Sequence, residues 1–159
     1  MVWNKTKEHV KNLNKFKVVY RGEIDSGYIP LVTYELYFCR ALAFEYEGKG
    51  VLAHVTPPYS NLEYLIEKMF DEINARSSFI HKVNGLCVCG YNKFRDGFDF
   101  ISIKRFLVQK GINLVGFYDD KLQYRKQVAD DDDAKDVIFL PEKRELYVYK
   151  KKKIIHFKY

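Results

Sequence analysis

The sequence predicts an α/β (α+β) fold, a mixed β-sheet or β-sandwich with two main helices packed against it. Three observations carry this expectation. Tyr and Phe are abundant, 13 and 12 against a single Trp, and both favour pleated, half-buried surfaces. β-Prone runs recur along the chain and are separated by turn residues. One segment, 62–73, instead repeats apolar residues at three- and four-residue spacing, the helical period, and a second, 99–111, also reads as a helix.

Taken in order, FKVVYRGEI over residues 16–24 reads as a strand, and SGYIP turns the chain. LVTYELYFCRALAFEYE over 31–47 is one long β-prone run. In its second half Cys39, Ala41 and Ala43 share one face, with Arg40, Leu42 and Phe44 on the other. EGKG at 47–50 signals a turn, so 39–46 and 50–55 form a hairpin that Pro57 and Pro58 end. A helix follows, with Ser60 and Glu63 as a capping box. Its apolar stripe is Leu62, Leu65, Ile66, Met69, Phe70 and Ile73. VNGLCVCGY (83–91) is a strand, DFISIKRFLVQKG (99–111) a helix closed by Gly111, and INLVGFY a strand. DVIFLPEKRELYVYKKKKIIHF gives two further strands around a turn at Pro141 to Lys143.

At 159 residues the chain reads as a single domain, 1–159, with enough length for a real core. Residues 1–15 are expected to be flexible or helical. The acidic run 129–136 is expected as a solvated loop, and the basic run 150–159 as a C-terminal strand or tail. The formal charge of +6 and pI near 9.1 suit acidic partners without requiring them. The N-terminus has neither the pattern of a signal peptide nor that of an anchor, and no run of about 18 apolar residues occurs. Three cysteines do not make a disulfide framework, which fits a reducing compartment.

Of four histidines, His54 alone follows a strand of apolar and small residues. Cys39 begins the strand expected to pair with it. A thiol and an imidazole form a minimal nucleophile site, in which the ring takes and returns the proton. A turn centred on Gly48 and Lys49 would set His54 across from Ala43, on the same face as Cys39. The four residues from Ala43 to Cys39 span about 13 Å, so a bulge, strong twist or bend would have to close the gap.

Gly50-Val51-Leu52-Ala53-His54, with Pro57, resembles the Gly-Gly-Met-Ala-His segment of the chemoreceptor glutamine deamidases (CheD). Thr33, six residues before Cys39, matches the family's threonine, and His54 follows Cys39 by 15 residues, as in the catalytic domain of cytotoxic necrotizing factor toxins. The order of later elements is also similar, over residues 28 to 150. The resemblance implies a CheD-like fold and a cysteine-dependent hydrolase that deamidates a protein glutamine through a thioester. It assigns Cys39 as nucleophile, His54 as base and Thr33 as the group that orients the ring, with no cofactor and no metal. It implies a protein substrate with an exposed glutamine, and either a cytoplasmic enzyme or a bacterial effector or toxin delivered into a host cell. The sequence departs from the family at Tyr37 and Phe38, where glycine and serine usually precede the cysteine.

Three other readings compete. His81, Cys87 and Cys89 could converge on zinc, although Cys-x-Cys on a strand is not the usual spacing, and core packing is the better account of both cysteines. The basic tail, Lys104 and Arg105, with many aromatics, suits a nucleic-acid surface, but no recognition motif is present. Tyr37 and Phe38 suit an interaction domain with a degenerate, inactive site.

Overall fold

The structure, a computed structural model, describes residues 3–37, 39–56, 61–75, 77–89, 100–118 and 134–159. Among these the fold is mixed α+β, with ten strands in two mixed sheets and three α-helices. The strands are β1 (Lys17–Val18), β2 (Ile24–Gly27), β3 (Leu31–Leu36), β4 (Arg40–Tyr46), β5 (Lys49–Val55), β6 (Asn84–Cys89), β7 (Asn113–Tyr118), β8 (Lys135–Leu140), β9 (Glu145–Tyr149) and β10 (Ile154–Lys158). One sheet runs β1-β3-β8-β9-β10, the other β2-β5-β4-β6-β7. The β1–β3 and β6–β7 pairs are parallel and the rest antiparallel.

The sheets pack face to face. Leu31, Val137, Phe139 and Val148 from the first meet Ala41, Ala43, Leu52 and Leu86 from the second in one buried cluster. The outer face of the second sheet (Leu42, Phe44, Val51, Ala53, Cys87) is covered by helices α2 (Leu62–Glu72) and α3 (Phe100–Gln109). The outer face of the first (Val32, Ile138, Leu140) carries α1 (Asn4–Lys11), through Val10. Segment 1–15 is therefore helical over most of its described length. In α2 the expected stripe is the buried face: Leu62, Ile66, Met69, Phe70 and Ile73 are all 5% exposed or less. Each such side chain contributes about 1.5–3 kcal/mol by leaving water. The cap differs from expectation. Asn61 is the N-cap and its side chain accepts the Tyr64 N–H at 3.3 Å, while Ser60, Pro57 and Pro58 lie outside the described residues.

Two expected strands are each broken into two, and both breaks are crossings between the sheets. The run 16–24 stops at Val18 and restarts at Ile24 in the other sheet. The chain reverses there over Tyr20–Glu23, where Gly22 has φ +80°, a conformation open to residues without a Cβ. The run 31–47 stops at Leu36 and restarts at Arg40, again in the other sheet. The β3–β8 register shifts between Thr33 and Leu36, and Glu35 sits at φ 60°.

The hairpin of β4 and β5 forms, but its register corrects the expected one. The two turn residues are Glu47 and Gly48, both at positive φ (50° and 83°), as a type I′ turn requires. His54 therefore pairs with Ala41, not Ala43. The acidic run also differs from a solvated loop. Ala134, Lys135 and Asp136 are fully buried at the start of β8, while 129–133 lie outside the described residues. The C-terminal region adds a third strand, β10, paired to β9 at the edge of the sheet.

Candidate active site

The two crossings lie at the same end of the sandwich, and the candidate residues lie between them. Thr33 projects from β3 into the space between the sheets and is fully buried. His54 projects from β5 into the same space and is 3% exposed. Their side chains meet, with Thr33 Oγ1 2.7 Å from His54 Nδ1. Thr33 Oγ1 is also 2.7 Å from the carbonyl oxygen of Val19, in the first crossing.

These two distances fix the tautomer. A carbonyl oxygen only accepts, so the single hydroxyl proton of Thr33 goes to Val19. Oγ1 must then accept from His54, which places the ring proton on Nδ1 and leaves the lone pair on Nε2. Among the described residues that Nε2 is buried and has no hydrogen-bond partner. Burial, with the nearby positive charge of Arg21, holds the His54 pKa down to about 4. The ring is therefore neutral near pH 7 and able to accept a proton at Nε2.

Cys39 immediately precedes β4 and lies in the buried cluster between the sheets with Ala41 and Ala43. With Ala41 opposite His54, Cys39 stands two residues further along the same face. Diagonal neighbours of this kind have Cα atoms about 7–8 Å apart. The corrected register thus removes about half of the gap expected from the sequence, and no hydrogen bond joins the Cys39 thiol to His54 Nε2. The thiol is 3% exposed. Burial raises its pKa, while the positive charge of Arg21 opposes that. Thiol and imidazole are both neutral at rest, so thiolate would form only as the proton passes to the ring.

Sequence reasoning missed Arg21. It lies on the exposed turn of the first crossing, which is tied to the backbone of His54 on both sides. Gly22 N–H donates to the His54 carbonyl at 2.9 Å, and His54 N–H donates to the Glu23 carbonyl at 3.0 Å. A cavity of about 300 Å³ opens beside this turn, lined by Tyr20, Arg21, Tyr34, Glu35 and His54 among others. The one signal in the sequence was Gly22 directly after Arg21, a turn residue inside a β-prone run.

The remaining candidates do not converge. His81 lies exposed in a 3-10 helix at Ser77–Lys82. Cys87 is buried under the helices, and the Cys89 side chain lies outside the described residues. No group of three or more His, Cys, Asp or Glu among the described residues is placed to hold a metal ion. His9 meets Tyr149 Oη at 2.6 Å, and His156 stacks on Tyr147 at 4.1 Å, on the outer face of the first sheet. Lys104 and Arg105 are exposed on α3. No described helix is long and apolar enough to cross a membrane. The chain matches no protein-family model and no curated protein by sequence.

Proposed function

We propose that this protein is a cysteine-dependent amide hydrolase that deamidates glutamine side chains of a protein substrate, with a CheD-like fold. The observation that carries this reading is the Val19–Thr33–His54 hydrogen-bond chain, which leaves a buried, unpartnered Nε2 on the face that Cys39 shares. An oriented base beside a thiol is the minimum for acyl transfer.

In the proposed reaction, His54 Nε2 takes the Cys39 proton as the sulfur attacks the glutamine amide carbon. The carbonyl π pair moves to oxygen, and nearby N–H groups stabilise the charge. The tetrahedral intermediate collapses, and the amide nitrogen takes the proton from His54 and leaves as ammonia. Water gives a proton to the same ring as it adds to the thioester carbon, the C–S bond then breaks, and the Cys39 sulfur takes that proton back as glutamate is released. Thr33 keeps the ring in the tautomer that both proton transfers need. The net positive charge favours acidic partner surfaces. Bacterial effector or toxin and cytoplasmic enzyme are both settings in which such a reaction is used.

A second reading is favoured by one observation. Cys39 is 3% exposed and its thiol pKa is raised, which suits an interaction domain with a degenerate site. Incubation with glutamine-containing proteins, followed by ammonia release and peptide mass mapping, separates the two. Deamidation by the wild type that disappears in Cys39→Ser and His54→Gln supports the hydrolase. Deamidation that persists in Cys39→Ser ends it. No deamidation together with a Cys39 inert to alkylation supports the degenerate site.

A further inference from the structure

The Tyr20–Glu23 turn is built into the site rather than merely near it. Its backbone grips His54 through Gly22 N–H and the Glu23 carbonyl, and the residue before it, Val19, takes the Thr33 hydroxyl proton at 2.7 Å. The strand that precedes it is fixed in turn, because Val19 N–H donates to the Val32 carbonyl at 2.8 Å. Arg21 is thus carried on a backbone fastened on one flank to Thr33, which orients the base, and on the other to His54, the base itself. It lines the cavity of about 300 Å³ into which His54 also opens.

We propose that Arg21 is the charged member of this site: its guanidinium covers the Cys39 sulfur from the cavity side and stabilises negative charge as it develops there. The inference rests on the cysteine-hydrolase reading and names a residue which that reading lacked. Thr33 is neutral and His54 is neutral at rest, so neither supplies positive charge before the proton moves. A guanidinium carries a positive charge whatever its surroundings, and the charge of Arg21 acts at Cys39, where it opposes the effect of burial on the thiol. It lowers the barrier to sulfur attack without holding a resting thiolate, since burial still dominates the thiol. The same charge ranks electrophiles, with anionic ones drawn to the sulfur and cationic ones repelled.

The test is the rate of Cys39 alkylation in the native full chain by iodoacetate and by iodoacetamide, at fixed pH and ionic strength, followed by peptide mapping. The two reagents differ in charge and hardly in size. A unit charge about 4 Å from the reacting centre in a water-accessible cleft changes the iodoacetate to iodoacetamide ratio about fivefold. The ratio is expected to exceed that of free N-acetylcysteine in the wild type, to fall about fivefold in Arg21→Gln and to return in Arg21→Lys. A ratio unchanged in Arg21→Gln overturns the inference, and so does a Cys39 that neither reagent reaches. A ratio that responds as expected while no glutamine protein is deamidated upholds the charge role of Arg21 and rejects deamidation. Deamidation with an unresponsive ratio does the reverse.

Discussion

Thr33 Oγ1 lies between two groups, 2.7 Å from the Val19 carbonyl oxygen and 2.7 Å from His54 Nδ1. Because the hydroxyl has one proton and the carbonyl none, one residue sets which nitrogen of the ring is bare. Nitrogen-15 NMR of the folded protein should show a protonated Nδ1 and an unprotonated Nε2 for His54 at neutral pH. Thr33→Val leaves the buried Val19 carbonyl and the His54 N–H unpaired, at a cost of about 1–3 kcal/mol in a urea titration. It should also lose the single tautomer, and Thr33→Ser should restore both. A His54 that shows the opposite tautomer in the wild type would remove the base from Nε2.

The fold was legible where its determinants are local. Alternation in 39–46 and the α2 stripe each depend on residues within one element, and both register as expected. The crossings were not legible, because LVTYELYFC holds no residue that breaks the β pattern and FKVVYRGEI holds only Gly22. They depend on backbone angles at Gly22 and Glu35 and on partners far along the chain. The same holds for the candidate site. His54 could be singled out by its place at a strand end and Thr33 only through the resemblance to the deamidases, and the two share a hydrogen bond. Arg21 could not, since its place depends on how a turn folds back onto β5.

His54 makes stability depend on pH. The unfolded chain protonates this ring near 6.5, and the folded chain near 4. Between those values the unfolded state binds more protons, so acid favours unfolding. The stabilisation from the neutral buried ring is complete above pH 6.5 and is lost as pH falls toward 4, by up to about 3 kcal/mol. His9, also lowered by burial, adds a slope of the same sign. The difference between wild type and His54→Gln isolates the first. Urea midpoints over this range should converge as pH falls, and parallel profiles would refute a buried neutral His54.

Cys39 is predicted to react as a hindered neutral thiol. Its pKa is raised by burial against the pull of Arg21, so the thiolate fraction grows with pH through and beyond 9. Iodoacetamide rates at Cys39 should climb throughout that range. A plateau between about pH 5 and 8, the mark of a thiolate–imidazolium pair, would contradict the neutral resting state. His54→Gln should leave the rise in place, because the ring is uncharged over most of it.

Asp136 ends a run of acids, yet it is fully buried, and its carboxylate joins the N-terminal helix to the end of β3. Oδ1 accepts the Glu35 N–H at 3.1 Å, and Oδ2 accepts the Trp3 N–H at 3.4 Å. The first bond holds the irregular stretch of β3 that carries Thr33 two residues away, where Glu35 occupies positive φ. Asp136→Ala leaves two backbone donors unpaired and should cost about 2–4 kcal/mol. Asp136→Asn keeps one acceptor oxygen and should cost less. If the carboxylate positions the site, Asp136→Asn should also disturb the His54 tautomer signal while the fold persists. A stability loss with an unchanged His54 signal would confine Asp136 to anchoring the helix.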